Sequence, residues 1–156
     1  MDFSKLRHRI VFLSPKSSMT NELGENVPVW IPYKPEMNAN LKVETENEVY
    51  ITADHAGNAV LRSKDGMLFA HPVSLKEFEV WANVSPATGR EYEEAQKLRA
   101  ETTYNVTTRY FENITPDFKI LFRGRVMNIV SVLNIGELNA ELRIIASEMM
   151  TNAESY

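Results

Sequence analysis

The stretch FKILFRGRVMNIVSVL, residues 118–133, decides the fold class, because two β-prone runs in it flank a single glycine. Isoleucine, leucine, phenylalanine and valine are typical of strands, and Gly124 interrupts them between two arginines. This pattern predicts either a tight hairpin at Arg123, Gly124 and Arg125 or a bulge that kinks one long strand. In both cases the C-terminal third of the chain is β-structure.

Similar β-prone runs lie on both sides of this stretch. The run TTYNVTTRYF, residues 102–111, alternates between two faces, and a turn follows it at Thr115, Pro116 and Asp117. The remaining runs predict strands at about residues 5–13, 27–33, 78–84 and 141–146, with a loop beginning at Ser14.

The run at 27–33 carries Pro28 and Pro32. Because proline cannot donate a hydrogen bond to a sheet, this run is predicted to be an edge strand or a strongly bent one.

Three shorter runs predict a β-meander between residues 49 and 72. They are VYITA, AVLRS and MLFAH, and Gly57–Asn58 and Asp65–Gly66 between them are good turn formers. We expect one domain over residues 1–150 that includes this meander, and a flexible tail at 151–156.

The character of the sequence changes after Pro86. Thr88 and Glu91 have the spacing of a capping box, and Tyr92, Ala95 and Leu98 then fall on one helical face. This pattern predicts a short amphipathic helix of about three turns, or a loop that becomes one. The fold expected overall is mostly β: a small β-barrel of about six core strands, one short helix or loop insertion, and the extra meander.

The composition excludes several classes of function. The net charge of −4 argues against a surface that neutralises nucleic-acid phosphates, and the absence of cysteine excludes disulfides, zinc–thiolate sites and cysteine nucleophiles. No apolar run approaches the ~20 residues that a membrane helix needs. We expect no cofactor and no membrane association.

The sequence contains no familiar catalytic motif: no nucleophile elbow, zinc-protease helix, phosphate loop or dinucleotide fingerprint. Asp54, His55 and His71 form the one grouping that could bind a metal if the meander brings them together. Arg123 and Arg125 could bind a phosphate, but salt bridges or an interface are the commoner use of such a pair. Trp81 and Tyr104 are interpreted as core aromatic residues.

Three segments together resemble the tailed-phage head-tail joining family, also called head closure or stopper proteins. They are KLRHRI at 5–10, VWANVSPATGREYEEAQKLRAE at 80–101 and TTYNVTTRYFENITPDFKILFRGRVMNIVSV at 102–132. The resemblance covers about residues 3–31 and 77–149. Residues 32–76 between them, which contain the meander, have no counterpart in the shorter family members, so the resemblance implies an insertion there. The features that carry it, in order, are Trp81 in its strand, Gly89, Arg90 and Glu91 followed by Tyr92 and Gln96, Arg109 at a strand end, and Arg123, Gly124 and Arg125.

The resemblance implies a structural subunit of the virion, present in the host cytoplasm during assembly, and no enzymatic activity. Such subunits form a ring, dodecameric or hexameric, below the portal and its adaptor, close the capsid after DNA packaging, and dock the tail terminator or other tail proteins. It also implies that residues 85–101 project toward the DNA channel as a gate, with Gly89, Arg90, Glu91, Tyr92 and Gln96 at the matching positions. DNA passes through without sequence-specific binding.

Two other functions stay open on the residues alone. The first is a stand-alone β-barrel module that binds peptide or nucleic acid, which would need an exposed aromatic platform with basic neighbours. The second is an enzyme with an unfamiliar site at Asp54, His55 and His71.

Overall fold

A computed structural model describes most of the chain as β-structure. The described residues are 6–20, 24, 26–35, 39–40, 42–43, 47–48, 50–54, 57–62, 75–86 and 103–148. The strands are β1 (His8–Thr20), β2 (Asn26–Lys34), β3 (Ala39–Asn40), β4 (Lys42–Val43), β5 (Asn47–Glu48), β6 (Tyr50–Ala53), β7 (Ala59–Arg62), β8 (Val80–Pro86), β9 (Thr103–Arg109), β10 (Lys119–Phe122), β11 (Arg125–Asn134) and β12 (Glu141–Glu148). Short 3-10 turns precede β8 at Lys76–Phe78 and follow β11 at Ile135–Glu137.

Six of these strands close into a barrel. The order around it is β1, β10, β11, β12, β9, β8 and back to β1, and every pairing is antiparallel. Closure depends on β1, in which Ile10 pairs with Val80 of β8 and Phe12 pairs with Ile120 of β10. The predicted barrel of about six core strands is confirmed.

The barrel core is formed by apolar side chains from all six strands and from the loop after β9, together with Tyr33 of β2. Burial of each large aliphatic or aromatic side chain contributes roughly 1.5–3 kcal/mol. The buried members of this barrel core are Ile10, Phe12, Tyr33, Val80, Ala82, Val84, Val106, Phe111, Ile114, Ile120, Met127, Ile129, Leu142, Ile144 and Ala146.

Three further strands continue the sheet beyond β1 and form what is called the second layer. Strands β2, β6 and β7 extend the sheet from β1, and β3 pairs with β2. Between them they enclose a smaller core, whose buried members are Val11, Leu13, Trp30, Ile51, Phe78 and Val126. Strand β1 is therefore buried on both faces, which explains the uninterrupted apolar run at 10–13.

The loop predicted to begin at Ser14 is wrong, because β1 continues through Ser14 and Pro15 to Thr20. The ladder to β2 holds this region extended: Ser14 pairs with Ile31 and donates from its hydroxyl to the Ile31 carbonyl at 3.3 Å. Pro15 pairs with Trp30 in the same ladder. Tertiary pairing overrides the local turn preference of serine and proline here.

The edge-strand prediction for residues 27–33 is also wrong, because β2 has β1 on one side and both β6 and β3 on the other. The prolines still limit the pairing. The ladder from β2 to β6 consists of one residue pair, Trp30 with Ile51, and Trp30 lies midway between Pro28 and Pro32. The missing proline N–H groups therefore shorten the ladder between β2 and β6, but they do not prevent β6 from pairing with β2.

Two predicted hairpins are confirmed. Strands β10 and β11 meet in a two-residue turn, in which Arg123 and Gly124 have φ values of 52° and 78°. Two successive positive φ values are typical of a type I′ turn, which matches the twist of a hairpin. Strands β6 and β7 likewise pair across Gly57.

Other predictions fall outside the described residues. These are the MLFAH run and the helix or loop at 87–101. The division into one domain with an insertion at 32–76 stays a prediction. No helix within the described ranges is long and apolar enough to cross a membrane.

Candidate functional site

The two residues that flank the segment for which the resemblance implies a gate lie at one rim of the barrel. Pro86, the last residue of β8, pairs with Tyr104 near the start of β9. The chain therefore leaves and re-enters the barrel at neighbouring positions. Gly89, Arg90, Glu91, Tyr92 and Gln96 lie outside the described residues.

A cavity of about 250 Å³ opens beside these two strand ends. Its lining combines the apolar residues Val84, Pro86, Phe122 and Met127 with the polar residues His8, Tyr104, Arg123, Arg125 and Glu148. The His8 ring meets the edge of Phe122 with a centroid distance of 5.6 Å, and its Nδ1 atom accepts from the Val84 N–H at 3.1 Å. That hydrogen bond leaves Nε2 as the donor of the neutral imidazole.

Glu148 contacts two of the polar residues that line the cavity. The Tyr104 hydroxyl donates to Glu148 Oε1 at 3.1 Å, and the Arg125 Nε atom lies 3.7 Å from the same oxygen. Burial, reinforced by the charge of Glu148, raises the pKa of Tyr104 above its usual 10.0. Tyr104 therefore remains a neutral donor throughout the physiological pH range.

The turn between β10 and β11 is held by the turn between β6 and β7. The Ala59 N–H donates to the Gly124 carbonyl at 2.7 Å, and the Val126 N–H donates to the Gly57 carbonyl at 2.8 Å. Asn58 also lies within 3.5 Å of the Arg125 guanidinium. Arg125 therefore has Asn58 and Glu148 as partners within its own chain. Arg123 is exposed, and its guanidinium carbon lies 4.8 Å from the centre of the Phe122 ring. Their predicted role at an interface stays a prediction.

Trp81 and Arg109 lie toward the opposite ends of β8 and β9 from the rim. Trp81 is 50% exposed on the outside of the barrel, so its interpretation as a core residue is wrong. Strand alternation explains this: Val80, Ala82 and Val84 face inward, and the residue between the first two faces outward. The Arg9 guanidinium covers the Trp81 ring at 4.4 Å and pairs with Glu79 at 3.6 Å.

The loop between β11 and β12 is a feature that sequence reasoning missed. Leu138 at its tip is 76% exposed, and Asn134 and Asn139 clamp the base of the loop. The Asn139 N–H donates to Asn134 Oδ1 at 3.1 Å, and the Asn134 amide donates to Asn139 Oδ1 at 2.8 Å. The sequence feature that could have indicated this loop is a leucine between glycine and asparagine residues. In an exposed turn an apolar side chain has nothing nearby to pack against.

The candidate metal grouping is not assembled in the described part of the chain. His55 and His71 lie outside it, and the residues within it contain no group of three histidine or carboxylate side chains that could hold a metal ion.

Comparison with known proteins identifies the class. The sequence model of the phage head completion protein family matches residues 1–149. The chain is 32% identical over 56 residues to head completion protein gp16 of Bacillus phage SPP1, a match that covers 36% of this chain. The chain spans about half, 51%, of that relative's length.

Two solved structures are similar over nearly the whole chain. The first is the solution structure of protein SF1141 from Shigella flexneri 2a, with 19% identity, a TM-score of 0.49, and coverage of 95% of this chain and 96% of that one. The second is a chain in the virion of a native gene transfer agent particle, with 12% identity, a TM-score of 0.41, and coverage of 92% and 94%.

The fold and the family match together define a small β-barrel structural protein of a phage virion. The chain belongs to the phage head completion protein family.

Proposed function

We propose that this protein is a connector subunit that forms a ring below the portal and its adaptor, closes the capsid after DNA packaging, and provides a docking surface for the tail. The observation that carries the proposal is the rim of the barrel, where Pro86 pairs with Tyr104. A closed barrel is a rigid support, and one segment of about sixteen residues (87–102) starts and ends at neighbouring points on it. The barrel therefore anchors both ends of the segment proposed as the gate at one place.

The chemistry of the rim and of the segment suits a gate beside DNA. The segment contains seven charged residues, which are Arg90, Glu91, Glu93, Glu94, Lys97, Arg99 and Glu101. With a net charge of −4, the subunit as a whole does not hold DNA phosphates strongly, so DNA is able to pass. Arg123 at the rim supplies an exposed positive charge near the base of the segment.

Electron microscopy of the protein mixed with its own portal and adaptor tests the ring. We expect a ring of twelve or six subunits at the portal exit, with residues 85–101 directed at its axis. Dispersed subunits with no affinity for the portal complex would overturn the connector function.

Substitution of the segment tests the gate separately. The double variant Glu91→Ala and Tyr92→Ala is expected to fold normally and to join the ring, but to leave filled heads leaking DNA. The matched control is Glu112→Ala, an exposed carboxylate outside the segment. Normal infectious yield from the double variant would refute the gating role and leave the ring intact.

One observation favours a second function, a stand-alone module that binds peptide or nucleic acid. Trp81 is an exposed aromatic with the basic residues Arg9 and Lys76 beside it. However, Arg9 already covers the ring and pairs with Glu79, so the platform is occupied within the chain. Titration with single-stranded oligonucleotides distinguishes the two: the connector predicts no saturable binding at physiological salt, and the module predicts binding that Trp81→Ala abolishes.

A further inference from the structure

Each of the six barrel strands has one last inward-facing residue at the rim where the cavity opens, and these six residues are called the mouth. They are His8, Pro86, Tyr104, Phe122, Arg125 and Glu148, and all of them line the cavity. Because side chains alternate along a strand, the position two residues further into each strand also faces inward. That next layer is apolar and buried, and its members are Ile10, Val84, Val106, Ile120, Met127 and Ala146. The mouth therefore places a mostly polar layer over an apolar one.

His8 offers the mouth a hydrogen-bond donor that its own chain does not use. Its Nδ1 atom accepts from the Val84 N–H at 3.1 Å, so the proton of the neutral ring is on Nε2. Nε2 has no acceptor among the described residues. The donor is held in place, because the ring also packs edge-on against Phe122.

Arg123 offers a second set of donors on the same aromatic ring. Its guanidinium carbon lies 4.8 Å from the centre of the Phe122 ring, and the residue lines the cavity. Within the described ranges Arg123 forms no ion pair and no hydrogen bond.

The backbone of Arg123 gives an independent reason to assign its side chain a role. Its φ is 52°, in the first position of a two-residue hairpin turn. That position favours asparagine or glycine, so an arginine there is strained. Strain that is retained without a structural return typically marks a functional residue.

The charges that line the cavity leave one positive charge without a counterion. Arg125 and Glu148 lie 3.7 Å apart and offset each other, and Arg123 is the remaining charged residue. Asp54 is the nearest further carboxylate along this network, but it accepts from Asn58 and does not line the cavity. A guanidinium binds a carboxylate or phosphate through two parallel hydrogen bonds. The mouth is therefore suited to one anionic group.

The size and lining of the cavity favour a carboxylate with an apolar neighbour. A volume of about 250 Å³ corresponds to roughly eight water molecules of the liquid, which is the space of one or two side chains. Val84, Phe122 and Met127 line it and offer contact to an aliphatic group but nothing to a phosphate. The net charge of −4 also disfavours a polyanion.

We propose that the mouth is a binding site for an acidic and apolar peptide segment of a partner protein. The carboxylate of the segment pairs with Arg123 and accepts from Nε2 of His8, and a neighbouring aliphatic side chain packs against Phe122. The site belongs to the single subunit, so the inference goes beyond the proposed function and depends on neither the ring nor the gate.

Nuclear magnetic resonance of the full chain, titrated with the end-capped peptide Leu-Glu-Leu, tests the site. We expect saturable shifts of the amide signals of Val84, Tyr104 and Gly124. Leu-Gln-Leu removes the charge and Ser-Glu-Ser removes the aliphatic groups, and each is expected to bind about tenfold more weakly or less. Equal binding of Leu-Glu-Leu and Leu-Gln-Leu would contradict recognition of a carboxylate.

The variant Arg123→Asn separates binding from stability. Asparagine suits the positive φ better, so the unfolding temperature should not fall, whereas the affinity for Leu-Glu-Leu should fall about tenfold or more. Arg123→Lys keeps the charge and should bind more tightly than Arg123→Asn. The matched control is Arg143→Gln, an exposed arginine on the outside of β12, which should bind as the natural chain does. Unchanged affinity in Arg123→Asn would overturn the site.

Two further outcomes would also count against the proposal. Tighter binding of a single-stranded thymidine oligonucleotide than of Leu-Glu-Leu, with shifts of the same signals, would assign the mouth to nucleic-acid phosphates instead. Absence of saturable shifts with Leu-Glu-Leu would refute the peptide site and leave the connector function standing. A connector function refuted by microscopy would in turn leave the peptide site standing.

Discussion

The two cores of this protein differ in how completely they are enclosed. The barrel core is surrounded by six strands that close on themselves, whereas the second-layer core is covered by β2, β6 and β7 on one side of β1. The two cores also share β1, whose Ile10 and Phe12 face the barrel and whose Val11 and Leu13 face the second layer. The difference indicates that the barrel defines the fold and that the second layer braces it.

The largest expected effect comes from matched truncations in the two cores. Ile120 and Ile51 are both fully buried, the first in the barrel core and the second in the second-layer core. Ile120→Ala and Ile51→Ala are each expected to lower the free energy of unfolding by about 2–5 kcal/mol, with the larger loss at Ile120. Because β1 belongs to both cores, urea unfolding monitored by circular dichroism should remain a single transition in both variants.

A separate early unfolding transition in Ile51→Ala alone would contradict the single transition expected for both variants. It would mean that the second layer unfolds as a unit of its own and that sharing β1 does not couple the two cores.

A smaller effect is expected where the two layers meet. Gly124 has φ of 78°, and its carbonyl accepts from Ala59 of the second layer. The space around an added Cβ is open, so Gly124→Ala isolates backbone strain and should lower the free energy of unfolding by about 1–2 kcal/mol. Arg123→Gly, which relieves a positive φ in the same turn, is the control and should not destabilise by as much. Equal losses in thermal denaturation would show that strain is not the cause.

The pH dependence of stability provides a third test, at the rim of the barrel. Because the pKa of Tyr104 is raised in the folded protein, the unfolded chain loses that proton first as the pH rises. The stability that the neutral hydroxyl contributes is therefore complete below about pH 10 and declines above it. Stability measured from pH 8 to pH 11 should fall less steeply in Tyr104→Phe. Parallel profiles for the two proteins would show that the phenol ionises equally in both states.

The smallest effect is expected on the outer face of the barrel. Leu133 is mostly exposed, so Leu133→Ser should change the free energy of unfolding by no more than about 0.5 kcal/mol. A loss comparable to that at Ile51 would mean that the outer face is part of a core in the free subunit.

The barrel was predictable from the sequence because its strands carry their signals locally. Alternation at 102–111 and the glycine at 124 gave the strands and the turn that the structure has. The exact course of β1 and β2 was not predictable, since serine and proline favour turns locally and only the ladder between Ser14 and Ile31 keeps them extended. Long-range pairing of that kind leaves no local trace.

The candidate site was predictable only in part. The strand that carries Trp81 was evident, but Trp81 was interpreted as a core residue because tryptophan is a large apolar side chain, whereas alternation with the buried Val80, Ala82 and Val84 directs it outward. The contacts of Glu148 with Tyr104 and Arg125 join residues far apart in the sequence, so no spacing pattern announces them. The role of residues 85–101 as a gate stays a prediction.

The first strand also has a consequence for how the protein forms in the cell. Phe12 is made early, yet its neighbour Ile120 on β10 leaves the ribosome roughly 5–20 seconds later at ordinary rates of synthesis. Throughout that interval a strand that is apolar on both faces has no completed barrel to enter, and pairings this distant in sequence also make folding slow. Yield of correctly folded subunits should therefore depend on chaperones and on the rate of translation more strongly than its small size suggests.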